Sequence, residues 1–540
     1  MAVLHDLAPE LVDVILFFVP PRQLPEICLC SRWLNDLISR SSLAQYRIKC
    51  TEVGVLEDIL PGPSYPERLS ALHRYLEAWR TLEVQRRVEV QIPSLLAMLY
   101  DFTGGHLALL DSNTAPYSYA TVKLPNAREG AGRWTHTEVP YGILTEFAFS
   151  VEDHDLAVAL TYRGGLQADP PQTNAAGSAI WVLRFELHLH SLSGGDAHPA
   201  AILPIVPVCN AFSSATLPSA SVLVAGECVL IMLVHEDPEP FDNSDDVLYS
   251  VHWKTGAVHE VARFPRKTHM GLVFLRHDII LFCNMETKAL EAYVISFDPH
   301  TPQLPMSLVF LCSLILPLPG VINGYQCRSE PNVQFPTTSA SEHQTRYRPK
   351  IRNDPKYALV HFSIQHDASA TKLVVHRHKL LAAALVQQGN LMVPYEQWGC
   401  NICTWLEHSI GGWITNVDAQ RVVKVELAVG AHPAGGPWNI NVYDFNTSTV
   451  RRTKEELGDG RMATLWNGSM IEVHEGTSVP MPLPDAPEHR LESRVPCVQT
   501  TLKDAVRYVD VMIDGERILG LYRGTAADSR FTLLEVLAFA

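Results

Sequence analysis

Apolar positions change period along the chain, and the changes mark its organisation. In residues 7–18, Leu7, Leu11, Val14, Ile15 and Phe18 share one face of a predicted helix, with Pro9 suited to a first helical position and Glu10 and Asp13 near its positive end. Pro20 and Pro21 must stop it. A second apolar set, Leu24, Ile27 and Leu29, runs to Ser31, a good N-cap for a third set, Trp33, Leu34, Leu37 and Ile38. Three helices within about 35 residues are too small to bury this much apolar surface alone. The surplus implies a partner.

Gly54, Pro61, Gly62, Pro63 and Pro66 then read as a turn-rich linker. Leu69, Leu72, Leu76, Trp79 and Leu82 resume a helical period, with Glu67 near its start and Arg86 and Arg87 near its end, and predict a connecting helix. From Val88 onward the pattern is short alternating or β-branched runs separated by Gly, Pro, Asn and Asp turns. The clearest unit, 221–264, predicts four strands joined by hairpins, with a Trp253-Lys254-Thr255-Gly256 corner similar to the turn between the third and fourth strands of WD-type blades. The next 50 residues repeat the plan, and similar hairpin phrases recur at 181–196, 439–452 and 517–539.

Recurrence at about 40–50 residues predicts a β-propeller of about seven blades, with two tandem β-sandwiches as the alternative. The apolar run Leu533 to Phe539 fits ring closure against Val88 to Ile92. Two polar insertions, 325–356 and 164–177, predict mobile surface loops. The fold class expected is α+β multidomain: a small all-α unit at 1–50, a linker and connecting helix at 51–87, and a mainly-β, propeller-like domain at 88–540.

Composition narrows the function classes. The chain has 540 residues, is 47% apolar and carries a formal charge of -15 without a basic stripe, which argues against nucleic acid or an anionic membrane as partner. Eleven unevenly spaced cysteines, and an N-terminus without a basic n-region, point to a reducing compartment, the cytosol or nucleus. The longest apolar stretch, Leu308 to Leu316, is too short to span a membrane.

Residues 4–49 resemble an F-box. The pattern is carried by Leu7, Pro9, Glu10, Leu11, Ile15 and Leu16, followed by Cys30, Ser31, Arg32 and Trp33. Ala8 separates the Leu from the Pro, Cys30 stands where Val is usual, and Tyr46 replaces a Trp often found near the motif's end. Ala78-Trp79-Arg80 resembles the helix that follows the F-box in a large group of basidiomycete F-box proteins, and the resemblance extends into the propeller-like region. It implies docking to the Skp adaptor of a cullin-RING ubiquitin ligase, with Leu7, Pro9, Leu11, Ile15, Leu16, Val19, Leu24, Leu29 and Trp33 forming or supporting the interface, and a protein substrate bound by the propeller. On the residues alone, the same helices serve as a cap on the next domain, in a propeller that binds a ligand or is an enzyme.

No catalytic motif is present: no Gly-x-Ser-x-Gly, Gly-x4-Gly-Lys-Ser/Thr, His-Glu-x-x-His or Gly-x-Gly-x-x-Gly. The expectation is therefore a non-enzyme without cofactor or metal. Cys400 and Cys403 have metal or redox spacing, but on one strand they would point to opposite faces. His361, His366, His376 and His378 fall in two predicted strands and read as solvated, with His376 and His378 sharing a face. The acidic run Glu236 to Asp246 reads as a solvated loop without calcium-loop order. Arg128 and Arg133, or Arg451, Arg452 and Lys454, are the arginine-rich sets that could meet a phosphorylated target.

Overall fold

The computed structural model describes residues 7–57, 62–92, 95–111, 118–140, 142–166, 177, 180–213, 216–235, 245–296, 306–335, 351–366, 369–407, 414–427, 438–458, 460–481, 490–504, 506–508, 510–523 and 531–539. It consists of an N-terminal helical region followed by a seven-bladed β-propeller.

Helix α1 spans Pro9–Phe18, α2 Leu24–Cys30, α3 Arg32–Arg40, α4 Ser42–Val53 and α5 Tyr65–Thr81. The chain leaves α1 in extended conformation at Val19, ahead of the two prolines. Ser31 caps α3, its Oγ accepting from the Leu34 N–H at 3.1 Å. Ser31→Ala is expected to cost about 1 kcal/mol, seen as a lower midpoint of helical unfolding by circular dichroism.

Val12, Leu16, Leu24, Ile38 and Ala44 form the small buried core of this region. Arg47 fastens it: its Nη1 donates to the carbonyls of Leu16, Phe17 and Val19 at 2.8, 2.8 and 3.1 Å, satisfying the orphan end of α1. Helix α4 was not anticipated. It starts at Ser41, whose Oγ accepts from the Ala44 N–H, and ends at Gly54 with φ +72°.

Seven sheets surround a channel, each beginning with its inner strand. Blade 1 spans 95–138, blade 2 143–213, blade 3 219–264, blade 4 269–315, blade 5 322–407 and blade 6 417–501. Blades 3 and 4 follow the expected plan: Ser219–Ala225, Cys228–Val234, Asp246–His252 and Ala257–Phe264, then His269–Arg276, Ile279–Asn284, Ala289–Ser296 and Ser307–Ile315. At the corner before Ala257, Gly256 has φ +77°, and the Trp253 indole donates to the Gly226 carbonyl at 3.0 Å.

Blade 7 closes the ring. Asp510–Ile513, Arg517–Arg523 and Phe531–Ala538 take Arg86–Gln91 as their fourth strand, from Arg86 opposite Ala538 to Gln91 opposite Leu533. This is the closure expected from the apolar run ending the chain. Pairing the first propeller strand with the last ties the ring shut within one blade.

Three expectations need correcting. Residues 439–452 are not a hairpin: Trp438–Asp444 is a strand, and Asn446, accepting from the Ser448 and Thr449 N–H groups, starts a helix at Thr447–Leu457. Gly164 and Gly165 lie within the strand Leu156–Leu166 rather than in a loop, and 167–176 lies outside the described residues. The insertion 325–356 is built into the fold over much of its length. Tyr325 to Arg328 finish an inner strand, 329–335 runs across the face of the ring, and 336–350 lies outside the described residues.

Arg377, fully buried, holds this insertion by donating to the carbonyls of Pro331 and Pro355 at 2.9 and 2.7 Å and to the Ser329 hydroxyl at 2.6 Å. Asn332 reaches the Val224 carbonyl in blade 3 at 3.0 Å, and Phe335 packs edge-on against Phe274 at 5.0 Å. The segment lacks apolar periodicity because its anchors are backbone carbonyls and single side chains.

Candidate functional site

Two surfaces stand out, one on the helices and one in the channel. On α1, Val12 and Leu16 point into the helical core, while Leu11, Val14, Ile15 and Phe18 point outward. With Leu29 on α2 and Trp33 on α3, these six are between 37% and 89% exposed. Of the nine residues expected at the interface, Leu11, Ile15, Leu29 and Trp33 lie on the open surface. Leu16 and Leu24 are buried beneath it, and Leu7 and Val19 are half-buried against the same core. Pro9 takes the first position of α1. A fold of this size that leaves these six large apolar side chains and Phe17 exposed has a surface suited to association.

The helices are fixed to the propeller through α4 and α5. Trp79 is buried and stacks on Phe539 of blade 7 at 4.5 Å, while the Arg421 guanidinium of blade 6 lies 4.8 Å over the same ring. Arg421 also donates to the Tyr75 hydroxyl at 3.2 Å. The C-terminal carbonyls of both helices are satisfied by propeller side chains: Val53 by Gln420 and Asn446, each at 3.1 Å, and Thr81 by Asn467 at 2.7 Å. Val55 then bridges to Asn353 of the insertion. Arg22 hydrogen-bonds Tyr357 beside it.

The channel holds a cavity of about 790 Å³ lined by the inner strands of blades 1 to 6 and by the turn Asp514 to Arg517 of blade 7. A strut crosses its side: Arg328 of blade 5 pairs with Asp101 of blade 1 at 2.8 Å and Glu330 at 3.1 Å, and donates to the Phe102 carbonyl at 2.6 Å. Glu330 accepts from the Thr103 hydroxyl at 2.8 Å. Among the described lining residues, nine carboxylates face four cations. Burial pushes Glu146 up to about 8 and Asp418 far above the usual carboxylate range.

None of this channel cluster was anticipated as a site. Its signal was an acid set in an otherwise apolar inner strand, as in ILTEFAFS, which is also the signal of ordinary solvent-facing alternation.

The other candidates are placed differently from expectation. His361, His366 and His376 are buried, and His378 sits on the helix Arg377–Val386, so His376 and His378 share no strand face. Burial holds His361 and His376 down to about 3, which keeps them neutral core residues. Cys400 lies in the turn before the strand Cys403–Glu407, so the two thiols are not on one strand. No group of three or more His, Cys, Asp or Glu suited to a metal occurs among the described residues.

Of the acidic run, 236–244 lies outside the described residues. Asp246 is buried and accepts from the His235 N–H at 2.9 Å, so it is not part of a solvated loop. In the arginine set on blade 6, Arg452 is paired with Glu456 at 2.8 Å and Lys454 with Glu475 at 2.8 Å.

No family profile matches the chain, and no curated protein matches it in sequence. Among solved structures it is similar to the WD40 domain of Toxoplasma gondii coronin, at 9% identity and TM-score 0.32, over 84% of this chain and 86% of that one. A luciferin-regenerating enzyme matches at 9% identity and TM-score 0.27, over 79% of this chain and 100% of that one. An acylaminoacyl peptidase of Pyrococcus horikoshii matches at 11% identity and TM-score 0.32, over 72% of this chain and 51% of that one.

Proposed function

We propose that the chain is a substrate-recognition adaptor of a cullin-RING ubiquitin ligase, in which the F-box-like helices dock the Skp adaptor and the propeller holds a protein target. The observation that carries the reading is the exposure of Leu11, Val14, Ile15, Phe18, Leu29 and Trp33 on the helices, of which Leu11, Ile15, Leu29 and Trp33 are positions where the F-box resemblance puts an interface. A bound helix laid on these side chains would bury large anchors of the kind that dominate association.

The chain itself makes or breaks no bond. It raises the effective concentration of a substrate lysine beside a charged ubiquitin carrier, and a rigid joint at Trp79 preserves that geometry. The reading places it in the cytosol or nucleus, in keeping with eleven free thiols, with neither nucleic acid nor a membrane as partner.

The test is a pull-down of the full chain with the Skp adaptor. Leu11→Ala combined with Ile15→Ala is expected to weaken capture by more than about tenfold, since each anchor of this kind contributes on the order of 1–2 kcal/mol. Its circular dichroism should be unchanged, because both side chains already face solvent. A folded wild-type chain that does not bind the adaptor would sink the reading.

A further inference from the structure

A receptor needs something to hold, and the channel states its chemistry through what is left unpaired. Its four lining cations are all committed: Lys123 to Glu129 at 2.8 Å, Arg328 to Asp101 and Glu330, Arg352 to Glu152 at 3.2 Å, and Arg517 to Asp514 and Glu516 at 3.1 and 2.6 Å. Glu146, Asp418 and the exposed Asp153 line the same cavity and have no ion pair among the described residues. Glu146 accepts from the Phe147 N–H at 3.0 Å, and Asp418 from the Asn353 amide at 3.1 Å. Both contacts are neutral.

We propose that the channel is a binding site for a cationic segment of a protein, whose Lys or Arg side chains enter the cavity and pair with Glu146 of blade 2 and with Asp418 of blade 6. The inference rests on the receptor reading and supplies its substrate class. The space suits an extended segment better than a lone ion. About 790 Å³ is several side chains in size, and Val222, Leu272 and Phe335 on the wall can cover methylene stems. The inner strands of blades 1 to 5 line the cavity and are edge strands of their sheets, so an extended chain can pair with their backbone. A phosphorylated segment would meet the surplus carboxylates and be repelled.

The protons follow the same logic. Glu146 is faced by Asp101 and Arg328, and Asp418 by Asp514, Glu330, Glu152 and Arg421. Burial dominates at both, so each tends to keep its proton while the cavity lacks a cation. A bound cation favours the carboxylates and releases protons.

The test uses the full chain and a fluorescein-labelled Gly/Ser decapeptide carrying three Arg, beside the same peptide with citrulline, which keeps the shape and removes the charge. The Arg peptide is expected to bind, and the citrulline peptide to bind at least tenfold more weakly. Glu146→Gln with Asp418→Asn is expected to weaken the Arg peptide at least tenfold. Glu26→Gln with Glu455→Gln, two exposed acids that change net charge equally, should leave it unchanged. Calorimetry at pH 7 in two buffers of different ionisation enthalpy should show proton release by the wild type and not by the channel variant.

If the double variant fails to fold, Glu146→Gln alone carries the comparison. Equal binding of the citrulline peptide, equal loss in the surface variant, or capture of spermidine without the peptide would each overturn the proposal. Adaptor pull-down on the same proteins separates the two ideas. Peptide binding without adaptor binding removes the ligase and keeps the cation site, and the reverse removes only the cation site.

Discussion

Replacing Trp79 with alanine will cost the chain about 3–5 kcal/mol and loosen the helices from the ring. The side chain is buried in one core with Tyr46, Cys50, Leu72 and Tyr75 of the helices, and with Val423, Val442 and Phe539 of blades 6 and 7. Its removal takes away the stack on Phe539 and the seat of the Arg421 guanidinium together. It also takes away an indole N–H that donates to the Gly515 carbonyl at 3.2 Å. Arg421 is left buried with Tyr75 and Asp444 as its near partners, and a buried cation losing a face is costly. Urea unfolding should show an early phase belonging to the helices, and limited proteolysis should release them. Trp466→Ala is the control: that ring is 73% exposed, and its loss should change stability by less than about 0.5 kcal/mol. Equal effects of the two substitutions would show that Trp79 does not carry the joint. In the adaptor reading, Trp79→Ala also separates docking from delivery, since Leu11 and Ile15 remain in place while the propeller is no longer held at a fixed angle.

What was legible in the sequence follows from which signals are local. Blades 3 and 4 could be read strand by strand because their strands are dense runs of branched apolar residues, and the turns of blade 3 carry Gly226 and Gly256 at positive φ. Closure at Leu533 to Phe539 was legible because an apolar strand at one end needs a partner at the other. Helix α1 was legible by period, and its apolar surplus was visible as the exposed face now seen. Helix α4 was not: Ala44, Tyr46 and Cys50 are spaced among charged residues, and its C-terminal end is satisfied by Gln420 and Asn446, far away in sequence. The histidines misled for a related reason. Polar residues at a hairpin look solvated until a neighbouring blade covers them, and that packing is non-local. The channel was hidden in the same way, since Asp101 and Arg328 are 227 positions apart and meet only when seven sheets have closed.

Arg328→Met will therefore strike where the ring is joined across its own channel, at a cost of about 3–5 kcal/mol. The substitution leaves Asp101 and Glu330 facing each other without the cation between them, and opens the Phe102 carbonyl as an unpaired acceptor. Arg328→Lys should lose about 1–3 kcal/mol, because a single ammonium cannot serve two carboxylates and a carbonyl in the fork geometry that a guanidinium provides. Adding Asp101→Asn and Glu330→Gln to Arg328→Met should recover part of the loss, since amides carry no charge to bury. The pH dependence has a fixed sign. Burial raises Glu330 while Arg328 opposes that rise, so removing Arg328 raises the folded-state pKa further above its unfolded value. A carboxylate in that condition lowers stability as pH rises, so the deficit against wild type should be larger at pH 8 than at pH 5. Thermal unfolding at the two pH values decides the matter. A deficit that is the same at both would mean that the guanidinium acts through packing alone, and that the carboxylates around the channel do not feel one another's charge.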